Sequence, residues 1–216
     1  AANITGIGLT LLPVHYQFGG CDKRPLGAGQ IRFGNDPERF AKLYEESERA
    51  LKSLPSDTRM GVAPHSLRAV GREDLIATTR LSKDGPVHMH LAEQVAEVEE
   101  VAASWGKRPV EWLLEHADVD ENWCLIHCTQ MQEHETLGLA RTGAVAGLCP
   151  ITESSLGDGI FDGVRYLNAG GNIGVGSDSN IRISLSEELR TLEYSQRLRD
   201  KSRAALATPE KSTARR

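Results

Sequence analysis

The feature that most constrains the fold of this chain is a series of short apolar runs separated by helical patterns. Six runs have the length of strands: Ile7–Val14, Arg59–Ala63, Val87–Leu91, Trp123–Ile126, Ala144–Leu148 and Ile173–Gly176. The helical patterns cover Pro37–Leu54, Arg72–Ser82, Ala92–Ser104, Val110–His116, Glu133–Arg141, Gly163–Asn168 and Ser186–Ala207. Strands that alternate with amphipathic helices predict βαβ units and a parallel sheet, hence an α/β fold.

Composition narrows the class of protein. The 216 residues are 39% hydrophobic and 25% charged, which is typical of a globular domain. The formal net charge of −5 argues against nucleic acid or an anionic membrane as a partner, because both require a basic face. No apolar run approaches the roughly 18 residues of a membrane span. The four cysteines form no CxxC pair, which predicts reduced thiols in a cytoplasmic protein.

Periodicity alone leaves two folds open, an incomplete (β/α)8 barrel and a doubly wound open sheet. Barrel enzymes gather catalytic groups at the C-terminal ends of several strands, whereas an open sheet concentrates them at one switch point. Here titratable residues follow five consecutive strands: His65, then His90 with Glu93, then His127, then Glu153, then Asp178. This distribution favours the barrel.

The segment His88-Met-His90-Leu-Ala-Glu93 runs from an apolar strand into a helix. His90 is a candidate metal ligand, and Glu93 is a carboxylate placed to move protons. The structural alternative is a strand histidine bonded to the backbone, followed by an acid in the first turn of a helix. His88, two residues before His90 on the same face, is interpreted as structural or as a residue that supports a metal ligand.

Two further strand ends carry candidates. His127 directly follows a buried strand, and the alternative is a core histidine. Cys124 and Cys128 share that strand, so a Cys/His zinc site stays open, although buried structural thiols are commoner. Asp178 is a candidate metal ligand or proton acceptor, and the alternative is the cap of the next helix.

Recognition of substrate is predicted next to the second strand and after the fifth. In Ala63-Pro-His65-Ser-Leu-Arg68 an imidazole and a guanidinium lie three residues apart, and Arg is suited to bidentate contact with a carboxylate. A solvated surface pair is the alternative. The segment Leu148–Gly159 is predicted to be a turn-rich loop, and Gln17–Asn35 a long Gly-rich one.

These motifs together resemble the amidohydrolase superfamily in its aminohydrolase branch. The branch pattern of His-x-x-Glu, His-Cys and Asp matches His90–Glu93, His127-Cys128 and Asp178 in order. The stretches Ala63–Arg68, Pro150–Gly159 and Gly176–Asn180 running on to Tyr194 are similar to the deiminases that act on N-formimino-L-glutamate. The resemblance covers nearly the whole chain.

The resemblance implies a fold of which this chain holds a part. The family carries a strand-1 His-x-His, and none lies upstream here. His88-Met-His90 cannot be that motif, because seven more βα units of roughly 30 residues each do not fit in residues 91–216. We therefore expect residues 1–216 to be a partial TIM-like (β/α)8 catalytic domain with strands 3 to 8, and strands 1 and 2 to lie outside it.

The resemblance also implies an activity, namely zinc-dependent hydrolysis of N-formimino-L-glutamate to N-formyl-L-glutamate and ammonia in histidine degradation. The expected roles are catalysis by Glu93, His127 and Asp178, binding of one Zn²⁺ (or iron) by His90 and Asp178, and binding of substrate by His65 and Arg68. The alternatives are a deaminase of a purine or related ring, and an inactive fragment. A homodimer is compatible with the sequence, and the 216 residues alone are expected to be inactive.

Overall fold

The structure is a computed structural model that describes residues 1–82, 84–179 and 182–216. Asn180, the last residue of the predicted Gly176–Asn180 motif, lies outside the described residues. The chain divides into two compact units. The first comprises Ala1–Met89 and Glu100–Gly106, and the second comprises His90–Glu99 and Lys107–Arg216.

The first unit contains short parallel strand pairs. Its strands are β1 (Thr10–Leu11), β2 (Val14–His15), β3 (Arg59–Met60) and β4 (Ala63–Pro64), and its helices are α1 (Ala2–Thr5), α2 (Pro37–Leu51) and α3 (Arg72–Thr79). β1 pairs with β3 and β2 with β4, both in parallel. The predicted strand Ile7–Val14 is divided into β1 and β2. Pro13 lies between them and has no backbone N–H to donate to a neighbouring strand.

The start of α2 follows a signal in the sequence. Asp36 is its N-cap and accepts a hydrogen bond from the backbone N–H of Arg39 at 2.8 Å, with Pro37 at the first helical position. This confirms the prediction from the Asp-Pro pair. The helix buries Phe40, whose ring stacks on the imidazole of His15 at a centroid distance of 4.7 Å. The apolar face of α2 thereby packs against β2.

The second unit is built on a parallel sheet. β5 (Val87–Leu91) begins in the first unit and ends in the second, and β6 (Trp123–His127), β7 (Val145–Leu148) and β8 (Asn172–Val175) follow it in sequential order. The β6–β7 and β7–β8 pairs are parallel. Helices stand between the strands and after the last: α4 (Val95–Trp105), α5 (Pro109–His116), α6 (Glu133–Ala140), α7 (Pro150–Leu156), α8 (Gly163–Asn168) and α9 (Leu185–Asp200). The predicted parallel sheet is confirmed.

Some predicted boundaries are wrong. Leu148–Gly159 is not wholly a loop but contains α7, which starts at Pro150 and ends before Gly157, a left-handed residue with φ 72°. The last helix ends at Asp200 rather than Ala207, because Lys201 adopts a left-handed conformation with φ 52°. The long Gln17–Asn35 segment contains a 3₁₀ turn at Ile31–Phe33. No helix among the described residues is long and apolar enough to cross a bilayer.

Candidate functional site

Four of the six described non-glycine residues with left-handed φ values in the second unit lie at the ends of three strands, and the other two, Lys201 and Ala204, follow α9. Left-handed φ values occur at Ala92 (50°) after β5, at His127 (74°) and Cys128 (52°) at the end of β6, and at Asp178 (50°) after β8. Such conformations cost about 1–3 kcal/mol each for residues other than glycine, and they cluster at functional sites. These are the strand ends at which sequence analysis placed His90, Glu93, His127 and Asp178.

The imidazole of His127 lies between two carboxylates. It is 1% exposed, with its Nδ1 atom 3.2 Å from Oε1 of Glu153 and its Nε2 atom 3.6 Å from Oε1 of Glu93. The first distance is that of a hydrogen bond, whereas the second is that of an ion pair. Because Nδ1 faces an acceptor, the hydrogen-bond network assigns a proton to Nδ1.

The charge state of His127 is set by opposing effects. Burial is the largest single effect and lowers the pKa of His127, since it disfavours the charged ring. The hydrogen bond to Glu153 and the charges of Glu93, Glu153 and Asp178 outweigh burial, so that the pKa of His127 is raised above its ordinary value. The surroundings therefore favour an imidazolium at this position.

Glu153 was not predicted to be a site residue. It lies in the first turn of α7, is 4% exposed, and its Oε1 atom also accepts a hydrogen bond from the backbone N–H of Cys149 at 2.8 Å. One carboxylate oxygen thus holds both the start of α7 and the ring of His127. The position of Glu153 after the fifth apolar run was the only signal in the sequence, and the contact joins residues 26 apart.

A second buried acid was also missed. Glu188, in the first turn of α9, is 1% exposed and accepts a hydrogen bond from the backbone N–H of Ile151 at 2.9 Å through Oε2. Its Oε1 atom has no hydrogen-bond partner among the described residues. Burial, with the charges of Glu153, Asp178 and Glu187, raises the pKa of Glu188 despite that backbone bond. Glu188 therefore links α9 to the start of α7 through this hydrogen bond.

His90 and Asp178 are the predicted metal ligands. The ring of His90 stacks on that of His127 at a centroid distance of 5.7 Å. Asp178 is exposed, and its charge acts on His127. An imidazole and a carboxylate are zinc donors, but a catalytic zinc takes three protein ligands. No group of three or more His, Cys, Asp or Glu side chains in the described ranges is arranged to hold a metal. The donor chemistry of the predicted pair, an imidazole and a carboxylate, is of the kind that zinc takes.

The thiols of the second unit are buried beside the strand ends. Burial raises the pKa of Cys124 to about 11 and that of Cys149 to about 12, and the pKa of the fully buried Cys128 is also raised. Among the described residues Cys124 and Cys128 belong to no group of three or more side chains arranged to hold a metal. This arrangement favours the structural interpretation of both thiols over a Cys/His zinc site.

The predicted substrate-binding pair lies in the first unit. His65 follows β4, its ring meets that of Tyr16 edge-on at 4.4 Å between centroids, and its Nδ1 atom is 3.1 Å from the Ser66 hydroxyl. Arg68 is half-buried and lines a cavity of about 360 Å³ together with Lys23 and other residues of that unit. A guanidinium beside a cavity of this size is compatible with contact to a small anion.

Comparison with known proteins decides the family. The profile of the Amidohydrolase family matches residues 27–212. The chain belongs to the amidohydrolase family. It is 45% identical over 207 residues, 95% of its length, to formimidoylglutamate deiminase of Pseudomonas aeruginosa. It is 33% identical over 82% of its length to 5-methylthioadenosine/S-adenosylhomocysteine deaminase 2 of Archaeoglobus fulgidus.

A solved structure agrees with this assignment. The crystal structure of an amidohydrolase from Brucella melitensis superposes on 99% of the chain with a TM-score of 0.96 and 53% sequence identity. The predicted fold class, a partial TIM-like (β/α)8 barrel of the amidohydrolase type, is confirmed. The chain spans 48% of that amidohydrolase, 45% of the Pseudomonas deiminase and 44% of the Archaeoglobus deaminase, or about half the length of each.

Proposed function

We propose that the protein to which this amidohydrolase chain belongs hydrolyses N-formimino-L-glutamate to N-formyl-L-glutamate and ammonia, a step of histidine degradation. The observation that carries the proposal is the contact of His127, at the end of β6, with Glu93 after β5 and with Glu153 in the first turn of α7. The chain that holds this arrangement is 45% identical to a formimidoylglutamate deiminase. An imidazole held between two carboxylates can stabilise charge and pass protons, which are the tasks of a hydrolytic site.

His90 and Asp178 would hold one zinc ion, with iron as the alternative, which when bound supplies Lewis acidity and lowers the pKa of the attacking water. Zinc is bound in the crystal structure of an adenosine deaminase from Xanthomonas campestris, which has a similar fold at 21% identity and a TM-score of 0.82. That likeness supports the fold alone. The remaining ligands would come from residues beyond the described part of this chain.

Proton movement is assigned to Glu93 and charge stabilisation to His127. Glu93 takes a proton from the water that attacks the formimino carbon and delivers it to the formimino nitrogen. The second proton of that water then passes to the same nitrogen as the new C=O bond forms and the C–N bond breaks, so that ammonia leaves. His127, favoured as an imidazolium by Glu153, stabilises the charge that develops at the attacked carbon and its substituents. Asp178, whose charge acts on His127, assists the water.

Substrate selection is assigned to the first unit. Arg68, with His65, holds a carboxylate of the glutamate moiety, for which a guanidinium provides two parallel N–H donors. The cavity that Arg68 lines supports this role, since its charged lining comprises three cationic side chains and two acidic ones, namely Lys23, Arg68, Arg72, Glu73 and Asp74. Three free thiols, at Cys124, Cys128 and Cys149, support a cytoplasmic location for the protein.

The test is ammonia release by the full gene product that contains this chain, with stoichiometric zinc and a panel of substrates. We expect turnover of N-formimino-L-glutamate and little turnover of 5-methylthioadenosine or 5′-deoxyadenosine. The opposite preference would assign the site to the second candidate, a purine-type deaminase, which the relatives at 28–33% identity favour. We expect the 216 residues alone to bind zinc weakly and to release little or no ammonia.

A further inference from the structure

We propose that Glu97 and Thr129 are positioning residues that fix the proton-transferring Glu93. The proposal rests on the function proposed above, in which Glu93 is the general base. The segment concerned is the turn Leu91-Ala92-Glu93, which joins the end of β5 to α4. Both proposed positioning residues bind the backbone of this turn.

Glu97 binds the turn through its carboxylate. It lies in the first turn of α4 and is 2% exposed. Its Oε1 atom accepts a hydrogen bond from the backbone N–H of Ala92 at 3.2 Å, and its Oε2 atom accepts one from the backbone N–H of Glu93 at 2.9 Å. Hydrogen bonds between an ionised carboxylate and backbone N–H groups are about twice as strong as neutral ones.

This arrangement goes beyond an ordinary helix cap. In a capping box the glutamate at the third helical position reaches back to the N–H of the residue just before the helix, which here is Gln94. Glu97 instead reaches one and two residues further, to Glu93 and Ala92. Each of its two oxygens therefore accepts a hydrogen bond from the turn that contains Glu93.

Thr129 binds the same turn through its hydroxyl. It follows β6, is 8% exposed, and its hydroxyl donates a hydrogen bond to the backbone carbonyl of Glu93, with the carbonyl of Ala92 at 3.3 Å. The backbone N–H of Gln130 donates to the Ala92 carbonyl at 2.9 Å. The Glu93 backbone is thus held at both its N–H and its carbonyl by two buried side chains.

The turn requires these hydrogen bonds because the backbone of Ala92 is left-handed, with φ 50°. That conformation is energetically unfavourable for alanine. If the backbone of Ala92 relaxed, Glu93 would rotate away from its position beside His127. The Glu93 carboxylate lies 3.6 Å from Nε2 of the fixed, buried His127. A displacement of about 1 Å at such a site can cost about 100-fold in rate.

The experiment uses the full gene product with N-formimino-L-glutamate. Thr129→Val removes the hydroxyl with little change in shape, and Thr129→Ser restores it. Glu97→Gln leaves one acceptor for two donors, and Glu99→Gln is the matched control on an exposed position of the same helix. For each variant kcat, KM, zinc content and the urea unfolding midpoint are measured, together with deuterium exchange of the peptide that contains Ala92 and Glu93.

For Thr129→Val and Glu97→Gln we expect kcat to fall by about 10- to 100-fold, with KM within about twofold and zinc content unchanged. The turn peptide should exchange faster in both. Thr129→Ser should recover most of kcat, and Glu99→Gln should match the parent enzyme. If Glu97→Gln does not fold, the Val and Ser variants at Thr129 still decide the question.

A double-mutant cycle separates this proposal from the proposed function. If Thr129 acts through Glu93, then Thr129→Val added to Glu93→Gln lowers kcat no further. If Glu93→Gln alone leaves kcat near normal, the proposed role of Glu93 fails, and the positioning role fails with it. If Glu93→Gln abolishes turnover while Thr129→Val and Glu97→Gln keep parental kcat, the proposed function stands and the positioning role is refuted.

Discussion

Glu153 offers the sharpest test of the site, because one of its oxygens serves two buried donors. In Glu153→Leu the backbone N–H of Cys149 loses its acceptor at 2.8 Å and Nδ1 of His127 loses its acceptor at 3.2 Å. An unpaired buried donor costs about 1–3 kcal/mol. Two such losses give about 2–6 kcal/mol, and the lower half of that range is favoured because His127 can release its Nδ1 proton and keep the proton on Nε2, which faces Glu93.

Glu153→Gln separates charge from hydrogen bonding. The amide oxygen can still accept both bonds, so the free energy of unfolding should fall by only about 1 kcal/mol, the difference between a charged and a neutral acceptor. The imidazolium of His127 loses its strongest support, and about 1.4 kcal/mol less stabilisation in the transition state corresponds to a tenfold lower kcat.

The assay for both variants is urea unfolding and ammonia release by the full gene product, with Glu121→Gln as an exposed control. We expect Glu153→Leu to be clearly less stable than Glu153→Gln. We expect Glu153→Gln to lose more activity than its small loss of stability explains. If Glu153→Leu costs less than 1 kcal/mol, the two buried bonds described here are not present in the protein.

Three further predictions concern the first unit. Burial lowers the pKa of His15 against the raising effects of Asp74 and Asp36, so below about pH 6.5 the unfolded chain binds a proton that the folded chain does not. The unfolding free energy should therefore fall by up to about 2 kcal/mol between pH 7 and pH 5. This fall should be smaller in His15→Asn than in the control variant His134→Asn. Arg68→Met should lower kcat/KM for N-formimino-L-glutamate by about 10- to 150-fold, partly through KM, since a charge-assisted pair contributes roughly 1.5–3 kcal/mol; an unchanged kcat/KM would move the carboxylate role elsewhere. Asp36→Ala should cost about 0.5–2 kcal/mol of stability by loss of the cap, measured by urea unfolding, and no change would contradict the cap.

The sheet and the family were predictable because they depend on local patterns. Apolar runs at strand length and helix signals such as Asp36-Pro37 act over a few residues, and the structure has a parallel strand pair or helix at most of the predicted places. The motif residues His90–Glu93 and His127-Cys128 are short and ordered along the chain. Together with Asp178 and the longer stretches around them they resemble the amidohydrolase family, which the profile match then confirmed.

The supporting contacts could not be predicted because they join residues far apart in the sequence. Glu153 contacts His127 across 26 residues, Thr129 contacts Glu93 across 36, and Glu188 contacts Ile151 across 37. Pattern analysis treats each of these side chains as an ordinary acid or hydroxyl. Helix α7 was missed for a related reason, since Pro and Gly in Leu148–Gly159 indicate a turn unless they are recognised as the first position and the C-terminal cap of a helix.

The central claim is that the ends of β5, β6 and β8 form one hydrolytic zinc site, and anomalous diffraction at the zinc edge tests it most directly. Crystals of the full gene product should show one strong peak about 2.0–2.2 Å from a ring nitrogen of His90 and a carboxylate oxygen of Asp178. Glu93 and His127 should lie beside the peak without being bonded to it. A peak held by other residues, or no peak in active protein, would contradict the account.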